Sequence, residues 1–287
     1  MLGPQQSFAS PGAVNVIGAL LEQRTGQQIA ANRAWRIETA LKPVLREHGL
    51  DTLDQLIARL AGERHGPLAD AVINALLNQE SSFFRDAGVL EMVAEAALAI
   101  QAEHPGRRLR VWSAGCSVGQ EPYSLAMLFE ELAVSRGLAM PEIVASDVCP
   151  QALVRARAGR YSQFEIQRGL PVRRMVSWFD SENGEWVVRP ELAKRVQFRC
   201  HNLTRDPAPV GKFDIVLCRN VLLYFSASVR RSVFDTLHAA TRDGGLLVLG
   251  AGETVIGQTE AFRPSDRFRG FYVADSGQAS LTRAAVR

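Results

Sequence analysis

The sequence predicts an α/β fold: a mostly parallel, Rossmann-like sheet preceded by a small all-α domain. Three observations carry this. No strand pattern occurs before Arg108. From Arg108 onward short apolar strands alternate with amphipathic helices, the pattern of a parallel sheet covered by helices. Polar residues recur just beyond the carboxyl ends of those strands, where open α/β sheets bind ligands.

The all-α part reads as four helices. Val14, Ile17, Leu20 and Leu21 share one face. Ala34, Ile37, Leu41, Val44 and Leu45 share the next, with Pro43 an awkward resident that shifts or kinks the helix. Leu53, Leu56, Ile57 and Leu60 mark the third, and Leu68, Val72, Ile73, Leu76 and Leu77 the fourth. Arg33, Arg36, Lys42 and Arg46 read singly as a solvated helix face and together as a docking face for an acidic partner. Residues 1–11 and 276–287 read as loose ends. The block Gln79-Glu80-Ser81-Ser82-Phe83-Phe84-Arg85-Asp86 reads as a helix start capped by Ser81 or Ser82.

The central stretch is Val111-Trp112-Ser113-Ala114-Gly115-Cys116-Ser117-Val118-Gly119-Gln120-Glu121-Pro122. It reads as a buried strand, a small-residue turn and a helix, with Pro122 and Glu121 in the first helical turn. Its G-x-x-x-G spacing meets neither the dinucleotide fingerprint nor the phosphate-cradling loop. Expected strands Glu142–Ser146, Val196–Cys200 and Asp214–Cys218 lead to Asp147, to His201-Asn202 and to Arg219-Asn220. Helix Ser226–Ala240 then leads through Asp243-Gly244-Gly245 to strand Leu246–Gly250, and Phe271-Tyr272-Val273 returns antiparallel. Between Gly159 and Arg195 the alternation stops. An inserted subdomain is expected there, with a turn at Asp180–Glu185 and a strand at Trp186–Val188.

Totals bound the function. The 287 residues suffice for one large or two modest domains, and 47% apolar content is ordinary for a globular chain. A net charge of +3, from 33 basic and 30 acidic residues, does not call for nucleic acid. The first 100 residues carry −3 and the remainder +6. Six arginines between residues 155 and 174 (Arg155, Arg157, Arg160, Arg168, Arg173, Arg174) face only Glu165, a solvated face or an attraction for an acidic surface. Cys116, Cys149, Cys200 and Cys218 have no C-x-x-C spacing and read as apolar-packed thiols in a reducing compartment, without a metal. No secretion signal or membrane span is read, so a cytoplasmic protein is expected.

The rim chemistry suggests a ligand. Asp147 suits a ribose diol; Glu121 suits an ammonium or a ribose hydroxyl; Asn202 offers the donor and acceptor that an adenine edge needs. No basic cluster is placed for a pyrophosphate. This set fits S-adenosylmethionine, a cationic sulfonium nucleoside, better than a dinucleotide.

Four blocks make the resemblance close. Gln79–Arg85, the glycine stretch Trp112–Ser124, Ala158-Gly159-Arg160-Tyr161-Ser162 and Phe213-Asp214-Ile215-Val216-Leu217-Cys218-Arg219-Asn220-Val221-Leu222-Leu223-Tyr224-Phe225 resemble, in order and spacing, the chemotaxis receptor methyltransferases of the CheR family. The likeness runs from about residue 12 to about residue 275. It implies a class I S-adenosylmethionine-dependent methyltransferase fold. Its boundaries would be a helical domain at 1–78 and a methyltransferase domain at 79–287, with a β-subdomain inserted at about 159–195. It also implies methyl transfer to receptor glutamates, giving glutamyl methyl esters and S-adenosylhomocysteine. The donor would be lined by Gln79, Ser81, Arg85, Glu121, Asp147, Asn202, Leu203, Arg219 and Asn220, with Arg85 and Tyr224 nearest the transferred methyl. The expected partner is the cytoplasmic domain of a chemoreceptor, met by a monomer that binds no nucleic acid and does not insert into the membrane.

Departures from the family pattern are specific. Gln79 stands for the usual Asn, Ser81 for Thr, Gln120 for a frequent Glu and Cys149 for a frequent Asp. The turn Asp180–Trp186 is shorter than in members that tether to a receptor's C-terminal pentapeptide, so no tight tether is expected. Two other readings stay open: a non-catalytic binder of the donor acting through protein contacts, and a transferase with another acceptor.

Overall fold

Apolar periodicity and turn chemistry produce eleven helices and ten strands in the computed structural model, which describes residues 11–29, 35–62 and 66–275. The expectations for residues 1–10, for Arg33 and Ala34, and for residues 276–287 lie outside the described residues. The chain forms two compact units. One is Met1–Asn78 with Tyr224–Ser226, the other Gln79–Leu223 with Ala227–Arg287.

The first unit holds α1 (Pro11–Thr25), α2 (Trp35–Glu47), α3 (Leu53–Leu60) and α4 (Pro67–Leu76). Ile17 and Leu21 of α1, Ile37 and Leu41 of α2, Leu56 of α3 and Val72 of α4 are its buried centre. Thr52 accepts the amide of Gln55 and caps α3, while Pro67 opens α4, where a missing N–H leaves nothing unpaired. Pro43 does not end α2, which runs on to Glu47. Two backbone ties draw the later segment in. Gln27 forms an isolated antiparallel bridge with Phe225, and the Gln28 amide donates to the Tyr224 carbonyl at 2.7 Å.

The second unit opens with α5 (Ala87–Glu103) and then alternates: β1 (Arg110–Ala114), α6 (Gln120–Arg136), β2 (Glu142–Asp147), α7 (Pro150–Ala158). The insert follows: β3 (Arg160–Tyr161), α8 (Gln163–Gln167), α9 (Val172–Trp178), β4 (Phe179–Glu182), β5 (Glu185–Val188) and α10 (Pro190–Ala193). Alternation resumes with β6 (Val196–Cys200), β7 (Phe213–Cys218), α11 (Ala227–Ala240) and β8 (Thr241–Leu249), and ends in β9 (Phe262–Pro264) and β10 (Phe271–Ala274). Strands β6-β2-β1-β7-β8-β10-β9 make one seven-stranded sheet. It is parallel from β6 to β8, and β10 enters antiparallel to both β8 and β9. Every residue of β7 is buried, as the unbroken apolar run requires of a strand covered on both faces.

Four local expectations change. Neither Ser81 nor Ser82 caps α5; Asp86, with φ 55°, occupies that position without a side-chain cap, because residues 83–86 form a turn that places Phe83 and Phe84 in the core. Asp243-Gly244-Gly245 is part of β8, whose register against β7 is interrupted between Phe213 and Ile215. Asp180–Glu185 is no simple turn: its ends pair as β4 and β5 about Asn183-Gly184. Cys200 is exposed, whereas the other three thiols are buried.

The arginine cluster is largely answered from within the chain. Arg155 pairs with Glu165, Arg160 with Glu182 and Glu185, Arg168 with Glu80, and Arg174 with Glu131. Apart from Glu165, these acids lie outside residues 155–174, so composition within that stretch does not reveal them.

Candidate functional site

Strand β1 has β2 on one side and β7 on the other, so the chain order reverses there. This is the switch point at which α/β sheets leave a crevice beyond the strands' carboxyl ends. The residues gathered at that rim come from five connections: the 79–86 segment and those after β1, β2, β6 and β7.

The turn after β1 is fixed by backbone bonds. The amides of Gly115 and Cys116 both donate to the Ser146 carbonyl, at 2.8 and 2.9 Å. Gly119 has φ 91°, and a Cβ on it would come within 2.9 Å of the Ala156 Cβ, so only glycine lets the loop lie this close to α7. Asp147, the last residue of β2, is buried. One of its oxygens accepts the Ser117 amide at 2.8 Å and the other the Cys149 amide at 2.9 Å. Burial raises its pKa from the ordinary 3.8, against the opposing pull of those amides and of Val148.

Glu121, in the first turn of α6, accepts the Ser113 hydroxyl at 2.7 Å and Arg219 Nη1 at 2.9 Å. Arg219 Nη2 reaches Asp86 Oδ2 at 2.6 Å and the Arg85 carbonyl at 2.9 Å. The Arg219 side chain is 2% exposed, and its Nε is buried without a partner. Most of the Arg219 fork is therefore spent on the protein itself, holding the acids of two segments together. Gln79 is engaged as well: the Ser117 hydroxyl lies 2.9 Å from its Oε1 and 3.0 Å from its carbonyl.

The 79–86 segment is anchored by its aromatics. The Phe83 ring meets Tyr161 and Phe179 edge-on, with centroids 4.9 and 5.5 Å apart. The Phe84 amide donates to the Ser124 hydroxyl, and Arg174 stacks on the Phe84 ring. Tyr161 also donates to the Val118 carbonyl at 2.8 Å, so the inserted sheet braces the glycine turn. Between these anchors Ser81 and Arg85 are half-buried, and among the described residues nothing pairs with the Arg85 guanidinium.

Beyond β6, Asn202 Oδ1 accepts the Thr204 amide and hydroxyl at 3.0 and 2.8 Å, and Leu203 is buried. Its carbonyl oxygen is thus used in the local turn. Beyond β7, Asn220 adopts φ 60°. Tyr224 belongs to the first unit, where the Asn78 carboxamide donates to its hydroxyl.

Sequence reading did not single out Ser117 or Asp86, whose bonds to Asp147 and Arg219 are made between segments far apart in the chain. Among the described residues no group of three or more His, Cys, Asp or Glu could hold a metal, and no helix is long and apolar enough to cross a membrane.

The donor set suits a sulfonium nucleoside. It offers a buried carboxylate at the end of β2, an acid at a helix start that would repel phosphate, and a loop pressed close to the sheet. A family model described as "CheR methyltransferase, SAM binding domain" matches residues 79–270. Chemotaxis protein methyltransferase Cher2 of Pseudomonas putida is 36% identical over 248 residues, covering 85% of this chain and 90% of that protein. Chemotaxis protein methyltransferase 1 of Pseudomonas aeruginosa is 38% identical over 240 residues, covering 82% and 87%. A protein of the same name from Vibrio cholerae is 34% identical over 245 residues, covering 84% and 89%. The chain therefore belongs to the CheR methyltransferase family, and its Rossmann-like sheet is that of a class I methyltransferase that uses S-adenosylmethionine.

Proposed function

We propose that the protein methylates glutamate side chains on the cytoplasmic helices of a chemoreceptor, forming glutamyl methyl esters, and that it does so without a pentapeptide tether. The observation that carries the reading is Arg85: a guanidinium with no partner among the described residues, on a segment anchored by Phe83, Phe84 and Arg219. Such a cation suits an incoming carboxylate better than a neutral amine or a hydroxyl.

A substrate glutamate is ionised at neutral pH, so no general base is needed. When bound, S-adenosylmethionine supplies a methyl group already activated by its sulfonium. The chain's task is to align and to exclude water. Asp147 and Asn202 would hold the nucleoside, with Leu203 against its apolar surface. Glu121 would face the amino-acid tail, with Gln79, Ser81, Arg219 and Asn220 completing the donor site. Arg85 would hold the substrate carboxylate. Tyr224, whose hydroxyl accepts a bond from Asn78, would be the second catalytic group. The protein would act as a cytoplasmic monomer on the receptor's cytoplasmic domain, with no nucleic acid and no membrane insertion.

The deciding experiment is transfer of radiolabelled methyl groups to receptor-containing membranes. Alkali-labile counts in the receptor support the reading. Alkali-stable counts would mean another acceptor. Donor binding without any transfer would mean a binding protein.

A further inference from the structure

We infer that Glu253 is a positioning residue for methyl transfer, because its carboxylate sets the shape of the loop that carries Asn220. The inference rests on the reading of Asn220 as a donor-site residue.

Glu253 follows β8 by four residues and is half-buried. Its Oε2 accepts the amides of Asn220 and Gly250, each at 2.8 Å. Its Oε1 accepts the amides of Leu222 at 2.8 Å and Leu223 at 3.3 Å. One side chain thus satisfies four backbone donors, three of them in the loop after β7. That loop has no strand or long helix of its own to hold it; it contains only the 3₁₀ turn Leu222–Tyr224. It also turns at Asn220 through φ 60°, a left-handed conformation that asparagine tolerates better than most non-glycine residues.

The neighbouring glycine fits the same account. A Cβ on Gly250 would lie 2.8 Å from both the amide nitrogen and Nδ2 of Asn220. The end of β8 therefore presses on Asn220 from one side, and the Glu253 carboxylate draws in its backbone from the other. Four N–H groups on one anionic acceptor form a charge-assisted clamp. Removing it leaves all four without that partner and takes away the side chain that binds the Asn220 amide.

The test is a double-mutant cycle on the full chain, read by calorimetric titration with S-adenosylhomocysteine and S-adenosylmethionine. Glu253→Ala is expected to weaken both ligands about tenfold. Asn220→Ala is expected to do the same in the parent and to add little in the Glu253→Ala background, since both changes remove the same contact. Glu253→Gln keeps one acceptor oxygen, should fall between parent and alanine variant, and serves if the alanine variant does not fold. The inference is overturned if a folded Glu253 variant binds within twofold of the parent, or if Asn220→Ala weakens binding by the same factor in both backgrounds. Failure of both Glu253 variants to fold would also overturn it, giving the carboxylate a role in stability alone. Unchanged binding on Asn220→Ala in the parent would instead bring down the donor-site reading of that residue, and this inference with it.

Discussion

The Asp147 carboxylate spans two turns: one oxygen holds the Ser117 amide after β1 and the other holds the Cys149 amide before α7. It joins the connections that follow β1 and β2, so its charge state bears on both.

Burial raises this carboxyl above 3.8. The native chain then binds the proton more tightly than the unfolded chain, so this group's contribution to stability is largest below 3.8 and declines as pH rises through the raised value. On the proposed reading of Asp147 as the ribose acceptor, donor binding runs the other way, because ribose hydroxyls need the ionised carboxylate. Calorimetry across the acid range is expected to show affinity falling as pH drops, with onset above 3.8. Asp147→Asn should lower affinity about tenfold or more at neutral pH and remove that step.

Arg219 is enclosed by two carboxylates and a carbonyl. Arg219→Ala leaves Glu121 facing Ser113 alone and is expected to cost about 3 kcal/mol in urea unfolding. Arg219→Lys keeps the charge but cannot fork between Glu121 and Asp86, and should lie between the two.

Tyr161→Phe keeps the ring against Phe83 and removes only the bond to the Val118 carbonyl. A loss of about 1–3 kcal/mol in denaturant unfolding is expected, with weaker donor binding as the glycine turn loosens. Unaltered affinity would show that the inserted sheet does not brace the donor loop.

Arg85→Ala and Tyr224→Phe are each expected to lower kcat about a hundredfold while S-adenosylhomocysteine still binds. Stopped-assay methyl transfer and calorimetry on the same preparations separate the two effects. Methylation at the parent rate in both variants would remove them from the reaction.

The β4–β5 connection is a two-residue hairpin turn, with Asn183 at φ 52° and Gly184 at φ 81°. Titration with a receptor C-terminal pentapeptide is expected to give no micromolar binding. Heat consistent with a micromolar Kd would refute tether independence.

Much of this architecture is visible in the sequence because parallel strands leave unbroken apolar runs and helices leave a 3.6-residue rhythm. Asp147, Arg219 and Asn220 stand out by falling just after such runs. Their roles are harder to read. Arg219 gives no sign in the sequence of its partners Glu121 and Asp86, 98 and 133 residues away. Asn202 looks like an adenine reader, yet its Oδ1 serves Thr204. Phe83 and Phe84 disguise a turn as a helix start, since their burial depends on Tyr161, Phe179 and Arg174, which no local window contains. Hydrogen-bond pairing between distant loops has no sequence period, and much of this site is built from it.

The brief excursion of Tyr224–Ser226 into the helical unit bears on ancestry and dissection alike. A gene fusion joining two ready-made modules end to end would leave each module contiguous. Here three residues encoded late in the message complete a body encoded at its start. A clean cut after Asn78 would strip the helices of their bridge to Phe225, so the helical half is not expected to survive as an exchangeable cassette.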